Sequence, residues 1–237
     1  MLIIPIRDHN PTVRPPVVTV TLIAACVVVF LYQLTLPEAD GERFVFRFGM
    51  IPALLLDGTL GPKNIGVPAW ATVFTSMFLH GGIMHLVGNM LFLWIFGNNI
   101  EDSLGHLRFI VFYLLCGVAA GFAHAAIDMQ STIPMIGASG AISGVLGAYL
   151  VLHPHARITM LLWVFVFVRT FEQPAYVVLG LWIGFQVLYA LLSDPSEGGV
   201  AFMAHVGGFI AGAALIFVFR PREARVIGAP PRRGPWG

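Results

Sequence analysis

Long uncharged apolar runs limit this chain's folding more than any other feature. Six stretches, roughly 17–36, 80–99, 107–127, 138–153, 174–193 and 201–220, can serve as membrane spans. About 20 apolar residues in a helix cross the hydrocarbon core, and a helix satisfies its own backbone hydrogen bonds there. The runs therefore predict an all-α membrane protein, a six-helix bundle over residues 17–220. A cytoplasmic N-terminal segment (1–16) would precede it and a disordered tail (221–237), rich in proline, arginine and glycine, would follow. The fourth run is short, which is tolerable if its polar end stops below the surface inside the protein. With 57% hydrophobic and 11% charged residues, an ordinary soluble domain is excluded. A net charge of +1 gives no case for nucleic acid as a partner.

Six spans place both termini on one side. With the N-terminus inside, the inner side holds Arg7, Arg14, Arg108, Arg157, Arg169 and the five arginines from Arg220 onward, while Arg43, Arg47 and Lys63 lie outside. That bias predicts an N-in/C-in topology. Met1 to Pro16 lacks an apolar core followed by a small-residue cleavage site, so no cleaved leader is expected. Cys26 and Cys116 both fall within apolar runs and read as packing residues without a disulfide. Residues 37–79 form a long outer loop with semi-apolar patches, consistent with partial embedding. Ile158 to Val168 is nearly all apolar, bracketed by Arg157 and Arg169 and too short to cross, and reads as an interfacial segment.

Against this background a few polar residues stand out. His80-Gly81-Gly82 leads into a span that carries His85 and Asn89, four apart and hence on one helical face. Gly137-Ala138-Ser139-Gly140 opens the fourth run, and Ala204-His205-Val206-Gly207-Gly208 lies in the sixth. Serine, asparagine and histidine can simply tie membrane helices together. However, Ser139 at a helix start has free amide donors beside it, and Gly137 and Gly140 permit close approach. Gly208 and Gly212 form a small-residue face matching Gly140, Ser143, Gly144 and Gly147, which would bring His205 within reach of Ser139. A serine paired with a histidine reads as a nucleophile with its base. His85, Asn89 and the Ser139 amide would be donors to a developing oxyanion.

All twelve acidic residues lie in loops or at segment ends. No carboxylate is placed to orient His205, so the pattern predicts a Ser/His dyad rather than a triad. It also weakens aspartyl catalysis, and no His-Glu-x-x-His zinc motif occurs. His80, His85 and His205 could in principle meet at a metal, but they lack an adjacent carboxylate or cysteine, and neither a metal nor a cofactor is expected.

Taken together, the motifs resemble the rhomboid intramembrane serine proteases. The likeness runs from Ile4-Pro5-Ile6-Arg7-Asp8 through His80, His85 and Asn89, Glu101-x-x-x-Gly105, Gly137-Ala-Ser-Gly140 and Ala204-His-x-Gly-Gly208. The resemblance implies a six-helix core with Ser139 as nucleophile, His205 as general base, and His85, Asn89 and the Ser139 amide as oxyanion hole. It assigns His80 to site support and Glu101 with Gly105 to a structural role. Two positions depart from the family pattern. Trp70-Ala71-Thr72 stands where many members have Trp-Arg, and Ser143 stands where some have a tyrosine against the catalytic histidine.

The implied reaction is hydrolysis of a peptide bond in or beside the transmembrane helix of single-span membrane protein substrates. The lipid bilayer is the other expected partner, with no obligate protein partner, and a bacterial inner membrane the expected location. The competing reading is a catalytically inactive rhomboid-like protein that binds transmembrane helices.

Overall fold

The computed structural model describes residues 2–57, 67–192 and 200–220. The expected disordered tail over 221–237 lies outside these. The elements run β1 (Leu2–Asp8), α1 (Val17–Thr35), α2 (Glu38–Phe48), α3 (Pro52–Asp57), α4 (Ala69–Thr75), α5 (Ile83–Phe92), α6 (Asn98–Leu104), α7 (His106–Ala125), α8 (Ser139–Leu152), β2 (Arg157–Val164), β3 (Phe167–Pro174), α9 (Ala175–Leu192) and α10 (Phe202–Phe219). A π-helical stretch, Leu93–Gly97, joins α5 to α6 in one continuous helix.

Among the described residues five helices are long and apolar enough to cross a membrane: α1, the α5–α6 helix, α7, α9 and α10. The protein is thus an integral, multi-pass membrane protein. The fourth expected span, α8, has only 14 residues, yet eleven of them are buried. It packs against α10 and α7 at the centre of the bundle. Enclosed by other helices, α8 need not match the bilayer thickness by itself.

The all-α expectation requires correction, because β1, β2 and β3 form an antiparallel sheet in that order. The expected cytoplasmic N-terminal segment supplies one strand, and the apolar stretch 158–168 lies in a β-hairpin. Two sequence properties conceal the hairpin. Ile158–Val168 is apolar apart from Thr159, so it lacks the alternation of a half-buried strand. Its two-residue turn is Phe165-Val166, without the glycine or asparagine that usually marks such turns, and Phe165 takes φ of 52°.

Glu101 starts α1 from a distance. Pro16 precedes the helix without a side-chain cap, and the orphan N–H groups of Val18 and Thr19 donate instead to the two Glu101 carboxylate oxygens, each at 2.8 Å. The Thr19 hydroxyl adds a 2.7 Å bond and His106 Nδ1 lies 2.6 Å from Glu101 Oε1. Gly105, at φ of 78°, makes the tight link from α6 to α7. Despite having no arginine beside Trp70, the segment expected to form the outer loop is anchored by backbone pairing. Met50 and Met135 exchange hydrogen bonds of 3.0 and 2.8 Å, and the Ala53 N–H donates to Ser131 O.

Asp8 fastens the sheet to the bundle. Its Oδ2 accepts from Asn99 Nδ2 at 2.7 Å and from the Tyr149 hydroxyl at 2.9 Å. Burial pushes the Asp8 carboxyl above the ordinary carboxylate value, against the opposing pull of these bonds. The native state therefore holds the Asp8 proton more tightly than the unfolded chain does. Stability from this group is highest below the unfolded value and declines as pH rises toward the raised native one. In detergent, the parent's Tm should fall over that acidic window, and Asp8→Asn should flatten this component of the slope.

Candidate functional site

Ser139 is the first residue of α8, so its N–H has no acceptor within the helix. The turn before it depends on Gly137, whose φ of +118° disfavours any side chain. The Gly137 N–H donates to Ser76 O at 2.8 Å, tying the turn to the end of α4.

The α8–α10 contact determines where His205 sits. A Cβ on Gly208 would fall on the Gly140 carbonyl oxygen, and one on Gly212 would fall on the backbone of Gly144. Gly140 is equally restricted, with Ala120 Cβ 2.6 Å from where its own Cβ would be. The two backbones thus touch, and His205, one turn before Gly208, faces the start of α8. His205 Nε2 lies 2.8 Å from Ser139 Oγ.

What orients His205 comes from α9. His205 Nδ1 lies 2.7 Å from Gln186 Oε1. An amide oxygen only accepts, so Nδ1 carries the proton and Nε2 is left as acceptor for the serine hydroxyl. The Trp182 ring packs near the imidazole, with centroids 5.9 Å apart and planes tilted by 38°. Ser143 does not contact the ring through an aromatic face; its hydroxyl donates back to the Ser139 carbonyl at 2.6 Å. Sequence reasoning missed both Gln186 and Trp182. Gln186 was detectable, being the one amide in an otherwise apolar span, by the same rule that singles out Ser139 and His205.

His85 and Asn89 meet the Gly137 turn. A Cβ on Gly137 would lie 2.7 Å from His85 Cε1 and Nε2, and 3.8 Å from Asn89 Nδ2. His85 Nδ1 accepts from the Gly81 N–H at 3.3 Å, so Nε2 carries the proton on the turn side. Asn89 Nδ2 is buried and has no hydrogen-bond partner among the described residues. Such a group is costly unless something else completes it. His85 Nε2–H, Asn89 Nδ2 and the Ser139 N–H thus surround one turn. His80 packs edge-on against His85 with centroids 5.1 Å apart, and Gln33 holds its backbone N–H and carbonyl at 3.2 Å each.

Ser139, His205, His85, Asn89 and Trp182 line a cavity of about 770 Å³, together with Met135, Ile136, Ala201 and Phe202; His80 packs behind His85 and is not part of that lining. Among the described residues, no three or more His, Cys, Asp or Glu side chains are grouped to hold a metal ion. The arrangement suits acyl transfer, with a polarised hydroxyl, a neutral imidazole acceptor and donors free to meet negative charge.

Replacing Gln186 by leucine removes the only hydrogen bond at Nδ1 among the described residues. If the pair is catalytic, turnover should fall about tenfold, the worth of one buried hydrogen bond, while KM changes little.

Residues 68–222, more than half of the chain, match the family described as Rhomboid domain. The Rhomboid protease GluP of Bacillus subtilis is 34% identical over 146 residues, covering 62% of this chain and 26% of that protein. RHOMBOID-like protein 6, mitochondrial, of Arabidopsis thaliana is 33% identical over 156 residues, 56% of this chain and 50% of that one. Rhomboid protein 1, mitochondrial, of Saccharomyces cerevisiae is 32% identical over 148 residues, with 60% and 39% covered. This chain spans about a quarter to a half of the length of these relatives.

Proposed function

The chain belongs to the rhomboid family, and on that footing we propose that it is an intramembrane serine endopeptidase working through a Ser139/His205 dyad. The family acts on membrane proteins within the bilayer and contains both proteases and inactive rhomboid-like members. The observation that favours the protease reading is the 2.8 Å contact between Ser139 Oγ and His205 Nε2 at the edge of the cavity. A member that only binds helices has no need of a correctly oriented base.

In the proposed reaction Ser139 Oγ attacks the scissile carbonyl carbon as its proton passes to His205 Nε2. The carbonyl oxygen becomes an oxyanion and accepts hydrogen bonds from the Ser139 N–H, Asn89 Nδ2 and His85 Nε2–H. As the C–N bond breaks, His205 returns the proton to the leaving amine. Water entering through the cavity then gives a proton to His205 Nε2 and bonds to the acyl carbon; the bond from that carbon to Ser139 Oγ breaks, His205 returns the proton to Oγ, and the new carboxyl end is released. Gln186 keeps the imidazole in the tautomer that both steps need.

The substrates we propose are single-span membrane proteins. A transmembrane helix hides its carbonyls in internal hydrogen bonds, so the cleaved segment must unwind, which glycine, proline and polar residues ease. The distribution of basic residues supports an N-in/C-in orientation, with the cavity facing the outer side of what we take to be a bacterial inner membrane.

The direct test uses purified protein in liposomes with a model single-span substrate. Cleavage in or beside the span is expected, together with loss of activity on labelling by a serine-directed fluorophosphonate at Ser139. If substrate is bound but never cut and no label attaches, the binding-only reading replaces this one.

A further inference from the structure

The β2–β3 hairpin has no part in the proposed chemistry, and its composition changes along its length. Its base is charged and attached: Arg157 reaches Glu172 at 3.4 Å, His9 reaches the same carboxylate, and Ile158 and Met160 are buried against the bundle. Beyond the Leu162–Arg169 pair its far end carries no charge. Val164 and Phe167 share one face there, while Trp163 and Val168 share the other. Phe165, Val166 and Phe167 are 91%, 85% and 72% exposed. The turn even places a phenylalanine at φ of 52°, where asparagine or glycine would be less strained. An apolar patch left uncovered in this way marks an interaction surface.

The position of the sheet indicates what covers it. Asp8, at the foot of β1, bonds to Asn99 and Tyr149, and Asn99 lies within a candidate span that continues to Leu104. β3 ends at Pro174, and α9, another candidate span, begins at Ala175. The sheet therefore starts at the level of the helix ends, and an eight-residue strand reaches only about 25 Å from there. Arg169, paired across the sheet with Leu162, and Arg7 have no carboxylate partner among the described residues. Guanidinium groups behind an aromatic tip match the order of anionic headgroups over acyl chains.

We infer that the Trp163–Val168 tip inserts into the adjacent lipid leaflet, anchoring the sheet there, with Arg7 and Arg169 at the level of the headgroups. This does not depend on the chain being a protease.

The test couples an environment-sensitive fluorophore to a Phe165→Cys variant of the full chain in vesicles of phosphatidylcholine with phosphatidylglycerol. Cys26 and Cys116 are buried, and the parent protein treated alike gives the background. Expected are a blue-shifted emission, strong quenching by lipids carrying a nitroxide high on the acyl chain, and weak quenching by aqueous iodide. Adding Trp163→Asp and Phe167→Asp to the labelled variant should reverse that pattern while leaving the helices folded by circular dichroism. Water-like emission with full iodide quenching would overturn the inference. A blue shift that disappears on dilution to one chain per vesicle would do so as well, showing that a second copy covers the tip.

Discussion

Ser139→Ala is expected to abolish substrate cleavage, by on the order of 10⁴-fold or more, without unfolding the protein. The reasoning starts from the geometry: Oγ is the only atom removed, and its partner His205 lines a cavity in which water can replace the lost bond. Stability should therefore change little, which separates lost chemistry from lost structure. His205→Ala should cost about as much, since a hydroxyl without an acceptor is a poor nucleophile. The double variant should be no worse than either single one, because the two groups act as a unit. Initial rates on a single-span substrate in liposomes, with Tm in detergent for each variant, would check this. If the double variant loses the product of the single losses, the dyad is wrong.

Gly212→Ala should have the largest effect on stability among conservative changes in the helices. Its Cβ would fall on the carbonyl and Cα of Gly144, and backbone cannot rotate away as a flexible side chain can. α10 must instead move off α8, at a cost of about 3 kcal/mol, the upper part of the usual range for overpacking. His205 rides on α10, so the displacement also lengthens its contact with Ser139, and cleavage should fall further than stability explains. Gly180→Ala on α9 is the matched control, since nothing lies within 4 Å of its Cβ. There the gain in helix propensity should dominate, making the change neutral or slightly stabilising. Denaturant titration in mixed micelles distinguishes the two substitutions.

Those two outcomes rest on features that differ in how readily the sequence discloses them. The proximity of Ser139 and His205 is legible, because glycines three and four apart on two apolar helices have few reasons to face each other except close packing. His85 and Asn89 are legible as a shared face by simple helical spacing. Gln186 and Trp182 are not paired with His205 by any local pattern, since α9 reaches that position only through the way it leans on α10. Glu101 shows the same limit. Its spacing to Gly105 singles it out, but only the packed structure reveals that it completes the N-terminus of α1, more than 80 residues earlier.

By itself the sequence determined the environment, the apolar helices and the identity of the few polar groups among them, because hydrophobic run length and helical spacing are local quantities. Tertiary structure decided which groups those residues meet. It turned an N-terminal segment and an apolar loop into one sheet, enclosed the 14-residue α8 so that it need not span alone, and brought Gln186 to a ring that no carboxylate among the described residues reaches. Strand pairing, burial and hydrogen bonding across α9 and α10 join residues far apart in the chain, and no local periodicity encodes such contacts.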